Sequence, residues 1–261
     1  MKQQPLTILV VGATGSIGRQ VVDQALRDGH HVRALVRSPR KASFPPGVEI
    51  AEGDLTRPES LAAIVASVDA IIFTHGSSGG LRGTAEAVDY GGVLHVLEAL
   101  GGRSVRVALM TTIGVTDRKG AHDWKRRGER LLRASGLPYT IVRPGWFDYN
   151  ETGQQRLLML QGDRRQSGTP ADGAVSRRQL AQVLVQALSS AEAVGKTFEL
   201  ITEHGPPQPD LDAVFASTTA DRPGALDGVS DAANMPLDRE PATIRTALSS
   251  FSRLAQGTTA G

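Results

Sequence analysis

Leu6-Thr-Ile-Leu-Val-Val11 runs directly into Gly12-Ala-Thr-Gly-Ser-Ile-Gly18. The first six residues are apolar and mostly β-branched, which predicts a short buried strand. Gly12 permits a tight turn. Gly15 removes a Cβ where a diphosphate must approach the backbone, and Gly18 lets the next helix lie close on the strand. That helix carries Ile17, Val21, Val22, Ala25 and Leu26 on one face; Gly29 ends it, and a second strand begins at His31. A strand entering a Gly-rich turn and a helix N-terminus is the arrangement that holds a pyrophosphate on backbone N–H groups. The alternative is an ordinary strand-turn-helix whose glycines serve only packing.

Outward from this turn, strands and helices alternate. Strands are expected at Val32–Val36, Val48–Ala51, Ala70–Phe73, Val105–Met110 and Tyr139–Val142. Helices are expected at Glu59–Ala66, Thr84–Leu100 and the highly charged Asp123–Ser135. This alternation predicts an α/β fold, a doubly wound parallel sheet of Rossmann type. Right-handed crossovers bring the loops after strands one, four, five and six to one edge, where such folds bind ligands. Beyond Pro144 the pattern loosens. Leu157–Leu160 and Gly173–Val175 read as short strands, and Ser176 caps a helix over Arg177–Leu188. Thr197–Ile201 reads as a strand, Leu211–Ala216 as a helical turn and Ala220–Pro236 as an irregular surface loop. Glu240–Leu254 reads as a terminal helix and Gln256–Gly261 as disordered. We expect one domain over 1–261, with 146–175 and 203–255 forming a small C-terminal lobe on the substrate side.

Composition narrows the chemistry. The formal net charge of +2, scattered Arg and few aromatics give no case for nucleic acid. With no Cys, disulfides, thiol catalysis and Cys/His zinc sites are excluded, and the six His show no ligand spacing. The first apolar run is a strand rather than a signal peptide. No run approaches the roughly 20 apolar residues of a membrane helix. A cytoplasmic protein is expected, acting on a small molecule, without nucleic acid or membrane, as a monomer or homodimer.

The dinucleotide is read from the end of the second strand. An NAD site places an acid about 20 residues past the glycines, for the ribose 2′-hydroxyl. Here no acid lies between Asp28 and Glu49; Arg33, Arg37, Arg40 and Lys41 occupy the window. The planar guanidinium of Arg37 suits a 2′-phosphate. NADP(H) is therefore expected over NAD(H), a basic surface loop being the alternative.

These pieces resemble the atypical short-chain dehydrogenase/reductases, in particular their NmrA-like, NAD(P)-binding group. The resemblance rests on Gly12–Gly18, His31–Arg37, Gly53-Asp54-Leu55, Val88-Asp89-Tyr90, Thr111-Thr112-Ile-Gly114, Lys125 with Glu129, Ser135–Gly145 and Ser176-Arg177, in family order over nearly the first 200 residues. It implies cofactor contacts at Gly12, Thr14, Gly15, Ser16, Ile17 and Gly18 in the turn and at Arg37. It assigns Asp54 and Leu55 to the adenine, and Thr74, His75 and Gly76 to the ribose and nicotinamide side. Pro144, Gly145 and Trp146 fall near the carboxamide. Thr112 stands where relatives carry a catalytic Ser, and Lys125 where they carry the Lys that binds the nicotinamide ribose.

One departure matters. The family pattern Tyr-x-x-x-Lys, counted back from Lys125, reaches Ala121, which has no proton to give. His122 would approach the same space if the helix already exists there. Otherwise Lys125 is one more solvated cation in Lys125–Arg130, or an i,i+4 partner of Glu129. Trp146, Phe147 and Tyr149 are a stacking wall for a flat substrate or plain packing. His30, His31, His95 and His204 read as structural or exposed. The expected activity is NADPH-dependent reduction of a carbonyl, quinone or flavin-type acceptor by a chain lacking the usual Tyr. The alternative is a non-catalytic NADP(H)-sensing or partner-binding protein. A nucleotide-sugar epimerase or dehydratase is the weakest of the three.

Overall fold

The apolar run after Leu6 becomes the central strand β1 (Thr7–Val11), with its last four side chains fully buried. The structure, a computed structural model, describes residues 4–77 and 84–258. Parallel to β1 run β2 (His31–Val36) and β4 (Ala70–Phe73), so that Ile8 faces Val32 on one side and Ala70 on the other. Strands covered on both faces need no polar side, which is why these runs show little alternation. β3 (Val48–Glu52) lies beyond β2, and β5 (Arg106–Met110) and β6 (Tyr139–Pro144) lie beyond β4. β10 (Lys196–Glu203) adds in parallel to β6. β8 (Arg156–Leu160) closes that edge antiparallel to β10, with Leu160 opposite Glu199. Among the described residues the main sheet therefore runs β3-β2-β1-β4-β5-β6-β10-β8. The chain leaves β1 for one side and returns to the other at β4, which opens a crevice at their C-terminal ends.

Helices cover both faces. α1 (Ser16–Arg27) and α5 (Arg177–Ala187) pack together over Ile8, Val10 and Ile72. On the other face α2 (Ala62–Val65), α3 (Gly91–Ala99), α4 (Ala121–Ala134) and α7 (Ala242–Thr258) lie over Leu9, Ile71, Phe73 and Leu109. Ser176 caps α5 as expected, its hydroxyl accepting from Gln179 N. α6 (Leu211–Ala216) brings Phe215 against Phe198 of β10.

Several expectations are corrected. Glu59–Ala66 is not one helix: Pro58–Ser60 makes a tight turn in which Leu61 N–H bonds Pro58 O, and α2 follows. The run from Thr84 is helical but contains a wide turn at Glu86–Tyr90, where Gly91 N–H bonds Glu86 O five residues back. Trp146–Phe147, not expected as a strand, forms β7 and pairs with β9 (Ala174–Val175). α7 continues to Thr258, so Gln256–Thr258 are helical rather than disordered; 259–261 lie outside the described residues, as do Ser78, Gly79 and Gly80 of the loop after β4.

Within 146–175, β7 pairs with β9 and β8 joins the edge of the main sheet. In 203–255, α6 joins the first core, the stretch around 221–240 runs along α4, and Ile244, Leu248 and Phe251 of α7 join the second core. Arg126, Glu129, Arg130 and Arg133 are buried, not solvated. Arg126 and Arg130 share Asp227 at 3.0 and 2.9 Å, Arg133 reaches Asp221 at 3.1 Å, and Arg127 reaches Glu240 at 2.6 Å. Among the described residues no helix is long and apolar enough to cross a membrane.

Candidate functional site

Three glycines set the geometry at the end of β1. Gly12 sits at φ +85°, and a Cβ there would stand 2.7 Å from His75 N. A Cβ on Gly18 would stand 2.1 Å from Gly12 O, so only glycine lets α1 lie this close to the turn. A Cβ on Gly15 meets only Gly12 O, at 3.2 Å. Gly15 is also the N-cap of α1, with no side-chain acceptor on the first N–H groups and no acid in the first turn. Those groups are thus open to an anion.

A cleft of about 730 Å³ runs from this turn across the ends of β2, β3, β4 and β5. Its walls contain Gly12, Thr14, Gly15, Ser16 and Ile17; Arg37; Asp54 and Leu55; Thr74, His75 and Gly76; and Thr112 and Lys125. Gly18 lies beneath it. Pro144, Gly145 and Trp146 line instead a second cavity of about 630 Å³, which shares Thr112 and Phe147 with the first. Tyr149 is 61% exposed and only its edge contact with Trp146, 5.9 Å between ring centres, ties it to the group.

Electrostatics differ along the cleft. His75 is half-buried, and burial, followed by the nearby Lys125 charge, pushes its pKa down to about 4. The neutral ring faces Val88 O through Nε2 at 3.0 Å, which makes Nε2 the donor. Nδ1 is left an acceptor, buried and without a partner among the described residues. Asp54 accepts from Thr56 N at 2.9 Å and Thr56 Oγ1 at 2.8 Å. The Thr56 N–H, more than any other group, holds its carboxyl below the ordinary range, and the Arg37 charge adds to this. Asp54 thus makes a turn as well as lining the cleft.

Lys125 does not pair with Glu129. Its Nζ lies 2.7 Å from Asp89 Oδ1, and Asp89 also receives Ser77 N at 3.1 Å and the Ser77 hydroxyl. Glu129 belongs to Arg143, which grips both its oxygens at 3.0 and 2.7 Å, and to Thr111 at 2.7 Å. Burial opposes its ionisation, but Arg143 outweighs it and holds the carboxyl down to about 2. Thr112 Oγ1 lies 3.2 Å from Ile113 O.

Sequence reading gave no role to Asp89, although Val88-Asp89-Tyr90 is one of the pieces that carry the resemblance. It also missed Arg177, stacked 5.2 Å over Phe147 with Nε 3.3 Å from Ser16 Oγ. Asp117 was missed too. His122 stands in the first turn of α4, which begins at Ala121, and lines the second cavity.

An open helix N-terminus, a cradle closed to any Cβ and an orphaned ring nitrogen fit a nicotinamide dinucleotide. Comparison with known proteins agrees. The Photosystem II assembly factor Ycf39 of Synechocystis is 28% identical over 204 residues, 75% of this chain and 62% of that protein. The same factor of Trieres chinensis is 32% identical over 167 residues, and this chain spans only 50% of its length. The uncharacterized sugar epimerase YhfK of Bacillus subtilis is 30% identical over 212 residues, 75% of this chain and 94% of that one. Among solved structures, the oxidoreductase ylbE of Lactococcus lactis superposes with TM-score 0.66 at 18% identity, covering 81% of this chain and 96% of that one. A short-chain dehydrogenase/reductase of Veillonella parvula in complex with NADP gives 0.58 at 19%, covering 80% and 98%. These two likenesses show the fold, a Rossmann α/β sheet. A family model described as NAD(P)H-binding matches residues 12–191, and the chain belongs to that family.

Proposed function

We propose that the protein is an NADPH-dependent reductase of a small carbonyl, quinone or flavin-type acceptor. The observation that carries this reading is the junction of the two cavities at Thr112 and Phe147. One cavity has the shape and donors for a dinucleotide; the other, walled by Trp146 and Phe147, is within the usual size of a small-molecule site. When bound, the dinucleotide supplies two electrons and a hydrogen to an acceptor.

The chain's own residues do the rest. The N–H groups at Ser16 and Ile17 would hold the pyrophosphate, and Arg37 a 2′-phosphate. His75 Nδ1 would accept from a ribose hydroxyl. Lys125, fixed by Asp89, would donate to the nicotinamide ribose, and Thr112 would position the acceptor at the junction. Positioning of this kind lowers the barrier without a proton donor on the Tyr position.

The test is NADPH oxidation against a panel of quinones, flavins and aldehydes, with dissociation constants for NADPH and NADH measured beside it. NADPH should bind more tightly than NADH, and Arg37→Ala should erase about tenfold of the difference, the scale of one charge-assisted hydrogen bond. Equal constants in the unaltered protein would overturn the cofactor assignment. A second reading, a dinucleotide sensor or partner-binding protein, draws on Ala121 at the acid position and on similarity to proteins named as assembly factors. NADPH binding without reduction of any acceptor would favour it.

A further inference from the structure

We propose that His122, oriented by Asp117, is the general acid that stands in for the absent Tyr when the acceptor is an aromatic carbonyl. The proposal rests on the reductase reading above. Its evidence is the wall of the second cavity. His122 and Lys125 are three residues apart on α4 and so share a face of the helix. Lys125 lines the dinucleotide cleft, and His122 lines the cavity that adjoins it at Thr112.

The ring is held at one nitrogen. His122 Nδ1 lies 2.9 Å from Gly114 O and 3.0 Å from Asp117 Oδ1. Both partners are acceptors, so Nδ1 carries a hydrogen in either charge state, and Nε2 is the nitrogen that gains and loses a proton. A carboxylate that fixes the tautomer from behind while the far nitrogen works is the logic of an acid–base dyad. Asp117 is itself fixed. Burial works against its charge, but the Lys119 ammonium at 3.0 Å, the Lys119 N–H at 2.9 Å and the His122 ring hold its carboxyl below the ordinary range. Across the cavity the charged group is Asp172, whose oxygens are taken by Ser167 N and Gly168 N at 2.8 Å each. Trp146 and Phe147 supply the apolar wall for a flat ring.

The reductant would be a reduced nicotinamide dinucleotide, supplying a hydride, one hydrogen nucleus with its bonding electron pair, from a ring C–H bond to the carbonyl carbon and leaving in its oxidised form. The carbonyl π bond breaks and its oxygen becomes negative. The His122 Nε2–H bond then breaks and an O–H bond forms. Neutral imidazole remains and takes a proton from solvent through the open cavity.

Steady-state rates with NADPH and 4-nitrobenzaldehyde across pH test this, with menadione as a second acceptor. In the unaltered protein kcat for the aldehyde should fall as pH rises through the imidazolium titration. His122→Gln should remove that limb and lower kcat by roughly 10²–10⁴-fold, with the NADPH dissociation constant changed less than about twofold. Asp117→Asn should lower kcat for the aldehyde with the NADPH dissociation constant unchanged, because the ring loses the partner that fixes its tautomer. Side-chain ¹⁵N spectra give a readout independent of turnover: neutral His122 should be protonated at Nδ1, and Asp117→Asn should weaken that preference. A retained limb in His122→Gln, or a neutral ring protonated at Nε2, overturns the acid role alone. If the unaltered protein binds NADPH yet reduces neither probe, the reductase reading falls and the acid role with it.

Discussion

Gly18 shows how much one residue decides. It has ordinary helical backbone geometry, so its value lies in the space it leaves rather than in conformational freedom. A Cβ there meets Gly12 O at 2.1 Å and Ala13 Cα at 2.7 Å, both backbone atoms of the turn itself. Gly18→Ala must therefore push α1 from the turn, with a stability loss of about 1–3 kcal/mol, the range of overpacked cores. Its effect on dinucleotide affinity should be larger than that of a surface change, since the displaced helix start carries the N–H groups proposed to hold the pyrophosphate. Gly29 makes the control. Its Cβ meets nothing within 4 Å, and its only constraint is φ +84°. Gly29→Asn, a residue that tolerates the left-handed region, should leave affinity unchanged. Urea unfolding and NADPH titration of both variants check this; equal effects from the two would remove the close-packing role of Gly18.

At the scale of an element, α4 is the part least legible from sequence. Its composition reads as a solvated face, yet four of its charged side chains are buried. What covers them is the segment around 221–240, whose only helical turn is Leu237–Arg239 and which has no periodicity to announce its place. Asp227 serves Arg126 at 3.0 Å and Arg130 at 2.9 and 2.7 Å. Asp227→Ala leaves two buried guanidiniums short of their carboxylate and should cost about 3 kcal/mol, the lower end of the penalty for breaking a buried pair because Asp227 is partly exposed. A midpoint unchanged in urea would show that the segment contributes nothing. Elsewhere the strands of the sheet were legible because each is an apolar run bounded by turn residues, and the glycine turn because its spacing has a steric reason. That Asp54, His75 and Lys125 share one cleft is what the family resemblance implied, position by position. Asp89, Asp117 and Arg177 did not, since each acts through a partner distant in sequence or on a loop of no fixed register.

Across the whole molecule, ionisable groups that are wholly or partly buried tie stability to pH in opposing directions. Glu199 on β10 is pushed up to about 7, first by burial and then by the Asp163 and Asp231 carboxylates, against the pull of Arg143. It holds its proton more tightly folded than unfolded, so its contribution is complete below its ordinary value of 4.5 and is lost as pH rises through about 7. His75 runs the other way. Held down to about 4 from 6.5, it stabilises the fold above pH 6.5 and loses that contribution as pH falls through about 4. His30, also lowered by burial, adds to His75. Glu129, held down to about 2, matters only below its ordinary 4.5. Between about pH 4.5 and 6.5 the histidines and Glu199 therefore oppose each other, and the unaltered protein should show a shallow profile. Glu199→Gln keeps the neutral hydrogen-bonding shape and removes the titration, so stability should climb more steeply with pH over that interval. Urea midpoints at pH 4.5, 5.5 and 6.5 measure it. A Glu199→Gln profile parallel to that of the unaltered protein would mean that Glu199 does not carry its proton into this range, and that the Arg143 cluster holds it as a carboxylate alongside Glu129.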